Sequence, residues 1–175
     1  MKSGKISRRG TMQAAAAIGI AEMASTTAEA SAGKKPGHLA VLHSLIAAWK
    51  TKDIDGVLSH LTEDIEWHYL VGLPPLKGKP AARAFLEKFG APIAEVRWRI
   101  FDAAVIDDRM LVEGVDEYFT TNGGHVVVPY MGILQFRDGL IFRWRDYADS
   151  GLAGKLKNGE PVPDYVTALV DRKAI

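Results

Sequence analysis

Two aspartates, Asp116 and Asp146, stand in strand-like stretches whose alternate side chains are apolar or aromatic. A strand sends every second side chain to the same face. In Leu140 to Tyr147 and the residue after it, Phe142, Trp144, Asp146 and Ala148 therefore share one face, and Arg143, Arg145 and Tyr147 the other. A carboxylate in the middle of an apolar face needs a partner or takes a raised pKa, and groups of that kind are candidates for chemistry. Asp116 shares its face with Val112, Gly114 and Tyr118, while Glu113 and Glu117 fall opposite with Val115 and Phe119. If both faces point inward, the two aspartates meet in one cavity. Two carboxylates in an apolar pocket do not readily ionise together, so one becomes an acid and the other a base. Trp67, Tyr69, Trp98, Val128 and Tyr130 have the parity to line that pocket, and such walls suit an apolar small molecule. His68 falls on the face opposite Trp67, which predicts an outward or helix-covered ring. The remaining histidines have no metal-ligand spacing, there is no cysteine, and neither a phosphate-cradling glycine loop nor a G-x-S-x-G elbow occurs. No metal and no cofactor are expected.

The elements that must place these residues are legible in order. Leu42, Leu45, Ile46 and Trp49 recur at the spacing of one helix face. Asp53 can cap a second, short helix holding Ile54, Val57, Leu58 and Leu61. A turn over 62–64 leads into an expected strand from Ile65 to Val71, and the glycine- and proline-rich stretch 72–78 reads as a loop. Lys79 to Phe89 is a third helix with Pro80 in its first turn. Long strands are then expected from Ala94 to Ile106, Met110 to Thr121 and His125 to Phe136, with Asn122-Gly123-Gly124 as a hairpin signal. Pro129 points to an edge or a bulge. A tight turn at Arg137-Asp138-Gly139 introduces the strand of Asp146, and Asp164 to Val170 is a candidate terminal helix. Helices segregated from consecutive strands give an α+β fold: a curved mixed or antiparallel sheet with three helices packed on one face, a cone with one closed end and a mouth.

The length of 175 residues suits one domain, and the apolar share of 47% is enough for one core. No run of about 18 apolar residues is present, so no stable membrane span is expected. The formal charge of +1 is concentrated at the start: setting aside the four basic and two acidic residues of 1–32 moves it to −1. A nearly neutral domain gives no electrostatic case for nucleic acid. Residues 1–32 read as a targeting segment, with a basic start, a weakly apolar alanine-rich middle over Met12 to Met23, and small-x-small sites at Ala28-Glu29-Ala30 and Ala30-Ser31-Ala32. Ser7-Arg8-Arg9-Gly10-Thr11-Met12 resembles a twin-arginine export signal, which implies a folded protein delivered to the periplasm or outside the cell. Residues 33–38 then form a linker and 39–175 a single domain.

The order of elements, the segment DIDGVLSHLTEDIEWH, the loop ending LKGK and the final GILQFRDGLIFRWRDYADSG resemble the nuclear transport factor 2-like superfamily over roughly residues 39–152. Within it, VEGVDEYF and RWRDYADSG look like the limonene-1,2-epoxide hydrolase family and its polyketide-cyclase-like relatives. That resemblance implies a metal-free mechanism in which Asp146 takes a proton from water, Asp116 gives one to the epoxide oxygen, and an arginine bridges them. The place of the arginine is taken here by Gly114, and the places of the family's water-holding tyrosine and asparagine by Trp67 and Tyr69. The resemblance also implies a homodimer. Two further readings stay open: a non-catalytic module that binds a hydrophobic ligand or dimerises through its sheet, and a cyclase- or isomerase-like proton transfer.

Overall fold

The computed structural model describes residues 37–175, which form one compact unit. The export segment expected over 1–32 lies outside the described residues, as does all but the end of the linker expected over 33–38. That end differs: His38 already opens the first helix, its ring stacked at 3.9 Å on Phe136 and its Nε2 donating to the Asp107 carbonyl at 3.1 Å.

Helix α1 (His38–Lys50) buries Val41, Leu42, Leu45, Ile46 and Trp49, the face its spacing predicts. Lys52, at φ 58°, turns the chain into α2 (Ile54–Ser59), and Asp53 caps α2 by accepting from the Gly56 N–H at 2.8 Å. Strand β1 (Leu61–His68) begins four residues earlier than expected, because Leu61 already pairs with Ile141 and the segment 62–64 is extended rather than turned. The short β2 (Leu76–Lys77) pairs with β1 inside the stretch expected to be loop. Helix α3 (Gly78–Gly90) buries Ala82 and Leu86 and leaves Phe85 and Phe89 partly buried.

The strand expected from Ala94 to Ile106 is two strands, β3 (Ile93–Val96) and β4 (Arg99–Ile106), both paired with β5 (Arg109–Thr120). Val96, Trp98 and Ile100 all reach the core, as their alternation predicts, while Phe101 faces the other side. Strand β6 (His125–Arg137) pairs with β5 and β7 (Leu140–Ala148). Strand β7 ends opposite Tyr130, so Pro129 lies where β6 has only β5 beside it, the edge-like setting that suits a residue without an N–H. The turn between β6 and β7 has positive φ at both Asp138 and Gly139, as a two-residue hairpin loop of this hand requires. The sheet runs β2-β1-β7-β6-β5-β3 with β4 beside β5, and it is mixed because β1 and β7 are parallel. It is a curled half-barrel with helices across it, the α+β fold expected.

Two more helices appear after the sheet. α4 (Ser150–Lys157), capped by Asp149, buries Leu156 in the same core as α1 to α3. α5 (Asp164–Val170), where the sequence predicts it, covers the opposite sheet face, packing Val166 on Phe101, Val115 and Val127. The described domain therefore has five helices on two sides of the sheet: the three expected on one face, the terminal helix expected at Asp164 to Val170, and α4, which was not expected. No helix among the described residues is long and apolar enough to cross a membrane.

Candidate active site

Strands β5, β6 and β7 send Asp116, Tyr130 and Asp146 to the concave side. Cross-strand pairs fix their heights: Asp116 with Val128, Gly114 with Tyr130, Tyr130 with Ala148 and Gly132 with Asp146. A bulge between Gln135 and Phe136 corrects one expectation for β7. Ile141, rather than Phe142, is the fully buried residue, and Phe142 turns out beneath the Arg137 guanidinium. Beyond the bulge the expected alternation holds, and Trp144 and Asp146 both face inward.

All seven residues singled out in the sequence, Asp116, Asp146, Trp67, Tyr69, Trp98, Val128 and Tyr130, line one cavity of about 400 Å³. His68 lies on the other side of β1 and pairs with Glu66 at 3.0 Å. Tyr69 is beyond the end of β1, held by a hydrogen bond from the Val71 N–H to the Asp146 carbonyl at 2.8 Å and by its ring against Phe85 at 4.6 Å. Three indoles form a row: Trp67 on Trp144 at 4.8 Å and Trp144 on Trp98 at 5.9 Å, both nearly parallel. Phe85 meets Trp67 edge-on at 5.2 Å.

The row also holds the acid groups. Trp144 Nε1 donates to Asp146 Oδ1 at 2.6 Å, and Trp67 Nε1 donates to Oδ2 at 3.2 Å. Trp98 Nε1 donates to the Tyr130 hydroxyl oxygen at 2.5 Å, which leaves the phenol proton free to point elsewhere. Burial pushes Asp146 up to about 7; the two indole N–H groups oppose the rise and the nearby Asp116 charge adds to it. Burial likewise pushes Asp116 up to about 6, moderated by Lys157. Both carboxylates nevertheless keep some surface open, and that surface faces the cavity. Both groups therefore hold protons above the ordinary carboxylate range, Asp146 more tightly than Asp116. Burial, with Asp146 and then Asp116 contributing, holds the Tyr130 phenol well above its ordinary range, so it is a neutral donor.

Gly114, where the resemblance places an arginine, has no room for a side chain. A Cβ there would fall inside van der Waals contact of the Arg99 carbonyl oxygen and 3.0 Å from Tyr130 Cε1. Gly132 is less tight: a Cβ would lie 3.2 Å from Asp146 Oδ1 and 3.0 Å from Val112 Cγ2, both side-chain atoms. The Tyr130 ring thus lies between two glycines and occupies the space beside the aspartates.

Sequence reasoning missed two parts of the site. Trp144 was on the right face, but its N–H bond to Asp146 follows only from the i, i+2 spacing on one strand. Lys157, Ala153 and Gly154 reach the cavity from α4. The signal was Asp149 as a cap followed by Leu152, Ala153 and Leu156 on one side, masked by Gly151 and Gly154. No cluster of metal-ligating side chains occurs among the described residues.

Residues 42–144 match the family model of the SnoaL-like domain. No curated protein matches the chain significantly. Solved structures share the fold at low identity. An LEH-like epoxide hydrolase of M. tuberculosis is 21% identical, with 68% of this chain and 87% of that one covered and a TM-score of 0.60. A candidate SnoaL-like polyketide cyclase of Shewanella denitrificans is 12% identical, with 70% and 98% covered and a TM-score of 0.64. A protein of ketosteroid isomerase-like fold from Catenulispora acidiphila, in complex with trimethylamine, is 19% identical, with 69% and 97% covered and a TM-score of 0.58.

Proposed function

Because the chain belongs to the SnoaL-like domain family, within the nuclear transport factor 2-like superfamily, we propose that it is an acid–base enzyme acting on an apolar small molecule through Asp116 and Asp146. The observation that carries this is the pair itself: two carboxylates in one aromatic cavity, both held near the pH at which a group can give as well as take a proton.

The most concrete version is epoxide opening. Asp146 takes a proton from water, the water oxygen bonds to an epoxide carbon, the carbon–oxygen bond breaks, and Asp116 protonates the departing oxygen; because Asp146, at about 7, holds a proton more tightly than Asp116, at about 6, this step starts from the less populated form, with the proton on Asp116. The product is a diol, and the proton held by Asp146 must return to Asp116 before the next cycle. The indole N–H groups of Trp67 and Trp144 fix the Asp146 carboxylate for the first step. The neutral Tyr130 hydroxyl supplies a donor beside the pair where an arginine is absent. Purified protein incubated with terpene and aryl epoxides is expected to form diols, and Asp146→Asn is expected to lose at least a hundredfold in rate. No diol from any epoxide, or a rate indifferent to Asp146→Asn, rejects this chemistry.

A second reading, proton transfer on an acidic C–H, is favoured by one observation. Both Asp146 oxygens are bonded to indoles and the arginine place is closed, so little is present to orient a water. Its test is exchange of α-hydrogens of hydrophobic ketones in heavy water, which Asp116→Asn and Asp146→Asn should each suppress.

Export and self-association complete the proposal. The basic start and small-x-small sites of residues 1–32 support export. Met131 and Tyr147, exposed cross-strand neighbours on the outer sheet face, support a homodimer, which sedimentation checks directly.

A further inference from the structure

We propose that the ligand of this cavity is an apolar organic cation, a tertiary or quaternary amine with a hydrophobic arm, held between the Asp116 and Asp146 carboxylates and the faces of the Trp67–Trp144–Trp98 row. The inference rests on the reading that this cavity is the working site, and it narrows what the site accepts.

The argument is an accounting of donors and acceptors. All three indole N–H groups of the row are spent inside the protein, two on Asp146 and one on Tyr130. The row therefore offers a ligand only π surface. Asp116 accepts no hydrogen bond among the described residues. No arginine lines the cavity among the described residues, and the close backbone leaves no room for one at position 114. Its one lysine, Lys157, is exposed, with Nζ 5.8 Å from the Phe89 ring centroid. Beside the neutral Tyr130 hydroxyl, the interior thus presents acceptor oxygens and aromatic faces, with no buried positive charge among the described residues.

A neutral apolar ligand would leave Asp116 desolvated and unpaired, and an anion would face two carboxylates. A cation satisfies both features: it pairs with the carboxylates and lies against aromatic faces, where cations within about 6 Å of a ring centroid are attracted. The volume of about 400 Å³ is in the range of small-ligand pockets. The ligand's own charge would also do what an arginine does, keeping a carboxylate ionised and ready to accept a proton.

Benzyltrimethylammonium and its uncharged carbon isostere neopentylbenzene are probes of equal shape. Binding of each to the full chain is followed by calorimetry and by tryptophan fluorescence. At pH 8 the cation is expected to bind at least tenfold tighter than the isostere. Its affinity is expected to fall about tenfold by pH 5 as the two aspartates take protons. The other titratable groups facing the pair are Tyr69, Tyr118 and Tyr130, with Asp149 and Lys157 at the rim. Burial holds Tyr118 and Tyr130 well above the ordinary phenol range, so both stay neutral over this span. Asp116→Asn is expected to cost at least tenfold in cation affinity, whereas Lys157→Met leaves it unchanged or raises it. The pH series on the wild-type protein needs no variant to fold. Equal or tighter binding of neopentylbenzene overturns the proposal and leaves an apolar acid–base site intact. Cation binding indifferent to both pH and Asp116→Asn also overturns it. Binding of neither probe overturns it together with the function proposed for the cavity.

Discussion

At the scale of single residues, the site turns on what holds Asp146. The Trp144 N–H bond at 2.6 Å favours the ionised form, so Trp144→Phe should strengthen the hold on the proton. A hydrogen bond to a charged group is worth roughly 1.5–3 kcal/mol, so the change is about tenfold or more in proton affinity, readable by carboxyl titration in NMR. The pair also makes stability depend on pH, and the sign follows from the raised values. Between the ordinary carboxylate range and about 7, the folded chain binds more protons than the unfolded chain. The contribution of these two groups to stability is full below that window and is lost as pH rises through about 6 and 7. Thermal melts should therefore show Asp116→Asn and Asp146→Asn gaining stability relative to wild type at pH 8, with the gain shrinking toward pH 5. Parity alone brought Asp116, Asp146 and five wall residues to one cavity, because strand alternation is local geometry. The indole bonds were not legible in the same way, since they depend on ring orientations set by Phe85 and by the stacking partners.

At the scale of elements, the site depends on how closely strands approach. Gly114→Ala is expected to destabilise the fold by roughly 1–3 kcal/mol, because the new methyl meets the β4 backbone rather than a movable side chain. Gly132→Ala meets Asp146 Oδ1 and a valine methyl instead, so its main effect should be a displaced carboxylate and a changed pH profile. Chemical denaturation and activity profiles separate the two outcomes. The bulge in β7 was beyond a sequence reading, since strict alternation makes Phe142 and not Ile141 the inward residue. α4 escaped for a different reason: two glycines in eight residues depress helix propensity, and the Asp149 cap with Leu156 packing restores it only in the folded chain.

At the scale of the whole domain, the sheet has two occupied faces. On the side away from the cavity, Glu117, 1% exposed, accepts from Arg99 and pairs with His125 at 2.8 Å, while Arg99 donates to the Val170 carbonyl at 2.5 Å. This cluster ties α5 to the outer face. Glu117→Ala leaves Arg99 without its buried partner and is expected to cost roughly 3–5 kcal/mol, with earlier proteolysis of the C-terminal segment. The fold class was legible because helix spacing, hairpin signals and the order of elements agree with one another. The covering of the outer face by α5 was not, because it rests on Phe101, Val115 and Val127, whose positions on the opposite parity carry no sign of what packs there. Export belongs to this scale too: replacing Arg8 and Arg9 by lysine is expected to retain the protein in the cytoplasm, which cell fractionation checks.

The tight packing at Gly114 bears on how such a domain could change over generations. From this backbone, an arginine beside the aspartates is not one substitution away. The Arg99 carbonyl would have to withdraw, Tyr130 would have to shrink, and Trp98 would lose its hydrogen-bond acceptor, all in concert. Each step alone lowers fitness for folding before it offers any new chemistry, so lineages carrying this arrangement should explore substrates more readily than they acquire an arginine there.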